Sequence, residues 1–568
     1  MSTDIKLTSL LCKGYFPKEL PPVFTTHDFG THSLSIIEEW RTNKLFKTLT
    51  VQRKIGGRKC QMRGCYTYDL PNAEIEIISK PKKGFERRNI HITHPLPQAL
   101  LAFEMSKHWG SIQKWLMRQT YSLDEIHISS QYERSIKGID FALHRAKKEF
   151  LEATTDWLVK TDITRFYPSI YTHSITWAAY GKIRVKKNVN IYKGSLADRL
   201  DILVRNCNRN QTVGIPIGPE TSRILAEIIS ARIDLDFQEK NGDISANSVD
   251  RLQDDWLVGV ESLEKAEHIL STISATYHAY GLEINGSKTS IRHVLAVPDP
   301  SWISELGAFL SHTPVPPRGN CLREFLSLSL RLQSQNPSES VINYVLTIIE
   351  STDIGENDIE TVESFLLKSA VLSPLSMDSI CRVIINIHYR TQKLSVRRIR
   401  DRFITLAERN LEKGHIYEVI WLVYAIRGLK QSINSKRFAD MIEDVHGSAL
   451  PLVLLDMKSR GCFLHPLPKD QWESQINDER VKSDWIWLLA YEGIRRGWLL
   501  DKKKVLEKPL FKAMHSRNVV FYDPARNVKK SERIIAAKRQ MRKIQTKRIR
   551  EFILKSRGFN LVPPPDVY

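Results

Sequence analysis

Apolar and polar residues alternate along Asn72-Ala73-Glu74-Ile75-Glu76-Ile77-Ile78, the period of a strand with one face turned to a core. The basic stretch Lys80 to Arg88 that follows predicts a hairpin-like excursion, with Asn89-Ile90-His91-Ile92 returning as the partner strand. After Pro95 and Pro97, the spacing of Leu100, Phe103 and Met105 predicts a helix over 99–109 that packs on this hairpin. Trp157, Leu158 and Val159 lead into Asp162 and predict a strand over 156–162. A second pair of strands flanks Asp254-Asp255, with Val249-Asp250-Arg251 before and Trp256 to Val260 after, so the two carboxylates fall at a hairpin tip. Neighbours on a flat strand face opposite ways, and only a turn or twist brings both aspartates to one place. Between these strands, Ile224, Leu225, Ile228, Ile229 and Ile233 form a stripe at helical period, a helix over 219–237 that covers the sheet.

From about residue 320 the pattern changes to helices joined by short polar connectors. Ile416, Val419, Ile420, Val423 and Tyr424 form one stripe, and 485–491 reads as a further buried helix. This half is mostly α, and its helix pairs suit an irregular repeat array without a clean period. Lys529 to Arg557 is densely basic with Ile534, Ile535, Met541, Ile544 and Ile549 interspersed, the pattern of an amphipathic helix with a cationic face, and Pro563-Pro564-Pro565 belongs to an extended tail.

With 568 residues and 42% hydrophobic content, the chain is long enough for roughly three or four domains. Its formal net charge of +20 points to a polyanionic partner, nucleic acid first. No apolar run approaches the roughly 18 to 20 residues of a membrane span, so no membrane association is expected. The start Met1-Ser2-Thr3-Asp4 lacks a signal pattern, and the seven cysteines are scattered, with Cys60 and Cys65 lacking a second pair for zinc. Both features suit reduced thiols in a cytoplasmic protein.

The chemistry lies in an ordered series: the basic hairpin, Asp162 in Thr161-Asp162-Ile163-Thr164-Arg165-Phe166-Tyr167-Pro168, then Gly214 to Ser222, Asp254-Asp255, Gly281 to Asn285 with Lys288, and Leu306-Gly307. Hard divalent ions take carboxylate oxygens, and in-line displacement at a phosphate uses such ions at both the attacking and the leaving oxygen. In this order, over roughly residues 75 to 312, the chain resembles the reverse transcriptase family. The phrase from Asp162 to Ile175 is most similar to bacterial members of the abortive-infection and defence-associated group, which often append helical repeats to the polymerase core.

The resemblance implies an α+β fold: a fingers and palm core, with an antiparallel palm sheet and packed helices, followed by a mostly α-helical C-terminal region. The corresponding divisions are 1–150 for the N-terminal segment and fingers, 151–315 for the palm, 316–525 for the helical domain, and 526–568 for the basic helix and tail. It implies two Mg²⁺ ions, or Mn²⁺, on Asp162, Asp254, Asp255 and the carbonyl of Ile163, with Lys288 as a general acid for pyrophosphate. Lys82, Lys83, Arg87 and Arg88 are the candidates for the dNTP triphosphate, Arg88 first, and Tyr167 for the ring beneath the sugar that excludes a 2′-hydroxyl. Gly214, Gly218 and Ser222 correspond to the turn and helix start beneath the nascent base pair.

Two departures stand out: Leu252-Gln253 precedes the aspartate pair where the family usually has Tyr-x, and Pro216-Ile217-Gly218 replaces Pro-Gln-Gly. RNA-directed and template-independent or protein-primed DNA synthesis are both open, with Tyr15, Tyr389, Tyr522 and Tyr568 as candidate priming hydroxyls. Self-assembly through the helical region is a further expectation. The alternatives are a nucleic-acid-binding scaffold on a degenerate polymerase fold and an intron-encoded maturase, the latter without the cysteine or histidine module such proteins carry.

Overall fold

A twisted ribbon of β1 (Lys47–Ile55) and β2 (Arg58–Asp69), paired antiparallel, precedes the expected hairpin. Its sequence alternates, with Leu49, Val51 and Ile55 and then Cys60, Met62, Tyr66 and Tyr68 at every second position, a strand signal that the reading of the hairpin after it passed over. The hairpin itself is β3 (Glu76–Pro81) and β4 (Arg87–Ile92), with Lys80 opposite Arg88 and Pro81 opposite Arg87. The basic excursion is therefore tighter than expected, closed where the Lys82 N–H donates to the Glu86 carbonyl at 2.8 Å. Ala73 and Glu74 lie outside the strand because their N–H groups donate instead to the carbonyls of Asn206 and Ser483.

The computed structural model describes residues 3–55, 58–84, 86–296, 302–312, 317–350 and 354–528. The basic helix expected over 529–557, the proline tail and Tyr568 fall outside the described residues.

The helix expected over 99–109 runs from Pro95 to Lys107, because proline is tolerated in a first turn, and a second helix, Trp109–Leu116, follows at once. Four further strands, β5 (Trp157–Thr161), β6 (Val249–Leu252), β7 (Asp255–Val260) and β8 (Ser290–His293), form one sheet in the order β6-β7-β5-β8, antiparallel throughout. The helix Glu220–Lys240 lies against it, with Phe237 and Trp256 in ring contact. From the helix Leu263–His278, Tyr277 accepts a 2.8 Å hydrogen bond from the Trp256 indole.

His144, on the helix Phe141–Thr154, ties β6 to the loop before it. Its ring lies 2.9 Å from Asp250 and 3.1 Å from Asp124. Burial alone lowers its pKa, but the two carboxylates outweigh burial and raise it to about 9. The resulting stabilisation is complete below the unfolded value of about 6.5 and disappears as pH rises through about 9. The wild-type advantage over His144→Gln is expected to shrink by about 2–3 kcal/mol between pH 6.5 and 9.5 in urea unfolding. A difference that stays level across that range would remove the charged histidine from this account.

Beyond Trp302 every described element is helical. The helix Ile416–Gly428 is buried on all sides from Tyr417 to Gly428, where a single stripe was expected. It sits at the centre of the layer, between the helices Met377–Thr391, Val396–Leu411 and Ala449–Ser459, so no face of it meets water. The chain also closes on itself: Thr25 donates to the Phe521 carbonyl, the Trp40 indole to the Leu510 carbonyl, and Arg517 pairs with Glu39 at 2.6 Å. The N-terminal segment and the end of the helical region thus share one core. Among the described residues no single helix is long and apolar enough to cross a membrane, and Cys12, Cys65, Cys207, Cys321, Cys381 and Cys462 are free thiols.

Candidate active site

Asp162 directly follows β5, the strand next to β7, Asp254 lies in the two-residue turn between β6 and β7, and Asp255 opens β7, so strand pairing alone brings the two segments to one edge of the sheet. The turn is tight and its Gln253 takes a left-handed conformation, φ 57°, which costs a non-glycine residue about 1 kcal/mol. That conformation supplies the twist that lets both aspartates face the end of β5.

The turn is held from beneath by Arg251, a fully buried residue of β6. Its guanidinium donates to Glu227 at 2.7 Å, to the two Asp234 oxygens at 2.6 and 2.8 Å, and to the Gln253 carbonyl at 2.8 Å. Glu227 and Asp234 are seven residues apart on the helix Glu220–Lys240, and so share a face. Two acids inside an apolar stripe were the sequence signal for a buried cation, which the reading of isoleucine spacing passed over.

Asp254 and Asp255 both feel the Asp162 charge. Burial, then Asp255 and Asp162, push the Asp254 carboxyl up to about 7. Asp255 is likewise raised, by loss of solvent and by Asp162, while Lys288, Lys160 and Lys82 pull it back. Lys288 ion-pairs with Asp162. Its ammonium pKa is raised: partial burial acts to lower it, and Asp162, Asp255 and Asp254 outweigh that.

Among the described residues no three His, Cys, Asp or Glu side chains enclose an ion by themselves. The donor set nonetheless fits a divalent cation. Its three carboxylates are hard oxygen ligands that repel one another, and phosphate oxygens of a substrate can complete the shell. Ile163 bridges to Ile284, and the flanking bonds are made by the Thr164 N–H and the Asp162 carbonyl, so the Ile163 carbonyl takes no part in this pairing.

The tip of the β3–β4 hairpin lies near this edge, since Glu86 senses the charges of Lys288 and Asp162 and Asp255 that of Lys82. Its four cations have different employment. Lys82 pairs with Glu86 at 2.8 Å and Lys83 with Glu339 at 3.5 Å. Arg87 makes a two-pronged bond to the buried Glu418 at 2.8 Å and also binds Ser79, so it fastens the hairpin to the central helix of the C-terminal region. Glu76, on the same hairpin, accepts from the Ser448 and Ala449 N–H groups at 2.8 and 3.0 Å, at the start of the helix Ala449–Ser459. Only the Arg88 side chain is exposed without an ion pair among the described residues.

Tyr167 lies on the short helix Phe166–Ser169, and the Asp254 charge reaches its hydroxyl. Its carbonyl accepts from the Ile215 N–H, which places the Gly214–Gly218 loop behind it. A Cβ at Gly218, φ 133°, would stand 2.6 Å from the Pro17 ring, and one at Gly214, φ 87°, 3.1 Å from the Pro168 carbonyl oxygen. Close packing explains both glycines. Ser222 is buried in the first turn of the helix that follows.

Residues 109–329 match the family model described as reverse transcriptase (RNA-dependent DNA polymerase). No curated protein matches the chain. Among solved structures, apo telomerase from Candida tropicalis is similar at 14% identity over 74% of each chain, with a TM-score of 0.28. A form of that telomerase truncated from its C-terminal domain aligns at 13% identity, TM-score 0.27, over 48% of this chain and 57% of its own. The RNA-dependent RNA polymerase of a human picobirnavirus, as an insertion-loop deletion mutant, aligns at 12% identity and TM-score 0.28 over 65% of this chain and 81% of its own. The fold class is α+β: a core with an antiparallel four-stranded sheet, within which residues 109–329 match the reverse transcriptase model, followed by a mostly helical C-terminal region.

Proposed function

We propose that the reverse transcriptase domain matched over residues 109–329 is an active nucleotidyltransferase that adds dNMPs to a 3′-hydroxyl or a protein hydroxyl, with release of pyrophosphate. The gathering of Asp162, Asp254, Asp255 and Lys288 at one sheet edge, beneath a basic hairpin, carries this reading. Two divalent cations, Mg²⁺ or Mn²⁺, held by Asp162, Asp254 and Asp255 with the Ile163 carbonyl, would activate the attacking hydroxyl and offset charge on the leaving group. Lys288 keeps its proton beside Asp162 and directs it toward the pyrophosphate side. Lys82, Lys83 and Arg88 supply positive charge to the triphosphate, and Arg87 acts by holding the hairpin in place.

The template is RNA, or synthesis proceeds without one. For protein priming, Tyr15 and Tyr522 are unsuitable: both are fully buried, with hydroxyls bonded to the Thr93 carbonyl and to Asp456. Tyr389 is 43% exposed and accessible. The ordered motifs and the helical region that follows the core favour a bacterial antiviral role in the cytoplasm. The scaffold reading draws only on the altered Leu252-Gln253, which removes no carboxylate.

Incubation of the purified chain and any native RNA with labelled dNTPs and Mg²⁺ tests the proposal. Wild type is expected to give product and Asp254→Asn none; equally blank gels would favour the scaffold. Tyr167→Ala is expected to raise ribonucleotide relative to deoxynucleotide incorporation about tenfold or more, since the ring no longer meets a 2′-hydroxyl. Unchanged sugar selectivity in an active variant would free Tyr167 from that role.

A further inference from the structure

The segment between the first aspartate and the glycine loop contains a surface that the polymerase reading does not use. Residues 180–197 contain no acidic side chain, and Arg184, Lys186 and Lys187 are exposed without a carboxylate partner among the described residues. Ile183, Val189 and Ile191 stand in water beside them, 74%, 64% and 42% exposed. Lys186 lies 5.4 Å over the Trp177 ring, and solvent-facing apolar side chains interleaved with cations that no carboxylate neutralises are costly for a surface that binds nothing.

The second observation is a cleft of about 390 Å³ where this segment meets β2 and the helix Trp109–Leu116. Tyr180 and Tyr192 line it with their rings stacked, centroids 5.0 Å apart and planes 24° from parallel. Ile191, Cys65 and His108 complete much of the wall. The module is anchored firmly behind: Lys182 donates to the Ala279 carbonyl and lies 4.8 Å over the Trp177 ring, and Arg118 donates to the carbonyls of Ala178 and Ala179. The cleft and its flanking segment are built from residues 180–199, β2 and the start of the helix Trp109–Leu116, none of which carries Asp162, Asp254 or Asp255.

We infer that residues 180–193 and the adjoining cleft form a second nucleic-acid site, which binds single-stranded RNA or DNA with phosphates on Arg184, Lys186 and Lys187 and a base against Tyr192. Polyanion and cations are complementary, the flat rings accept any base, and the exposed aliphatic side chains gain cover from the neighbouring nucleotides. The site does not rest on catalysis, because binding is measured without nucleotides.

The test uses the full chain and 5′-fluorescein 20-nucleotide oligouridylate and oligothymidylate. Lys186→Glu with Lys187→Glu is expected to weaken binding at least tenfold in 100 mM salt and to flatten the log affinity against log salt slope by about 1.4. Tyr192→Ala is expected to weaken it about fivefold or more with an unchanged slope. A control with equal charge change, Arg409→Glu with Lys413→Glu on the helical region, is expected to stay within about twofold of wild type. Thermal midpoints identify any variant that has lost its fold, and 4-thiouridine crosslinks in the wild type are expected on peptide 180–196. Crosslinks confined to other peptides, or affinities of both test variants equal to that of the control, overturn the proposal. So does a lysine variant that keeps its affinity but loses self-association in sedimentation, which would make the surface a contact between chains.

Discussion

Asp254→Asn is expected to abolish synthesis and at the same time stabilise the protein in EDTA. Asp254 titrates near 7 in the folded chain because burial and two neighbouring carboxylates oppose its charge. An acid whose folded pKa lies above its unfolded value of about 3.9 loses stability as pH rises through the folded value. The amide keeps the shape of the turn and removes the repulsion. Allowing for solvent around the turn, the gain is about 2 kcal/mol above pH 7, vanishing below about pH 4. Mg²⁺ is expected to raise the melting temperature of wild type, by offsetting the same repulsion, and to do much less for the variant. Loss of catalysis is expected to be about a thousandfold or more, the scale of several kcal/mol of charge stabilisation. An Asp254→Asn protein that still makes polymer, or that melts below wild type in EDTA, contradicts the shared carboxylate edge.

Replacing Arg251 has the opposite signature. Arg251→Ala leaves Glu227 and Asp234 buried without their cation and frees the Gln253 carbonyl, so a loss of about 3–5 kcal/mol is expected. The triple variant Arg251→Met, Glu227→Leu, Asp234→Leu removes the stranded charges along with the arginine. It is expected to recover most of that stability, since apolar packing commonly replaces a buried ion pair at little cost. It is not expected to recover synthesis, because nothing then holds the left-handed turn that aims Asp254 and Asp255. Urea unfolding and primer extension on the same preparations separate the two effects. Full activity in a stable triple variant would show that the turn needs no support from below.

The hairpin tip at Asp254-Asp255 and the strand entering Asp162 were legible because each is bounded by an apolar run, and a run of that kind finds its partners through local geometry. The central helix Ile416–Gly428 was misjudged as one-sided. Periodicity detects the contrast between faces and registers only the strongest stripe when every face is covered. The ribbon β1–β2 did carry an alternation, Leu49, Val51 and Ile55 and then Cys60, Met62, Tyr66 and Tyr68, and was passed over because the basic residues Arg53, Lys54, Arg58, Lys59 and Arg63 dominate that stretch. Arg87 was grouped with its neighbours as a phosphate ligand because four cations in one basic stretch look alike in sequence. Its actual partner, Glu418, lies 331 residues away.

By itself, the sequence determined the order in which the acidic, glycine and basic segments occur, the strands that lead into the aspartates, and the divide between a mixed α/β half and a helical half. Those properties depend on residue type and short-range spacing. Tertiary structure alone decided that Arg251 supports the aspartate turn, that the helical region clasps the basic hairpin through Glu418 and Glu76, and that the first forty residues close against the last described helix. Each of these joins charged or aromatic groups from distant segments in a buried place, and the gain from excluding water there arises only once the chain has folded.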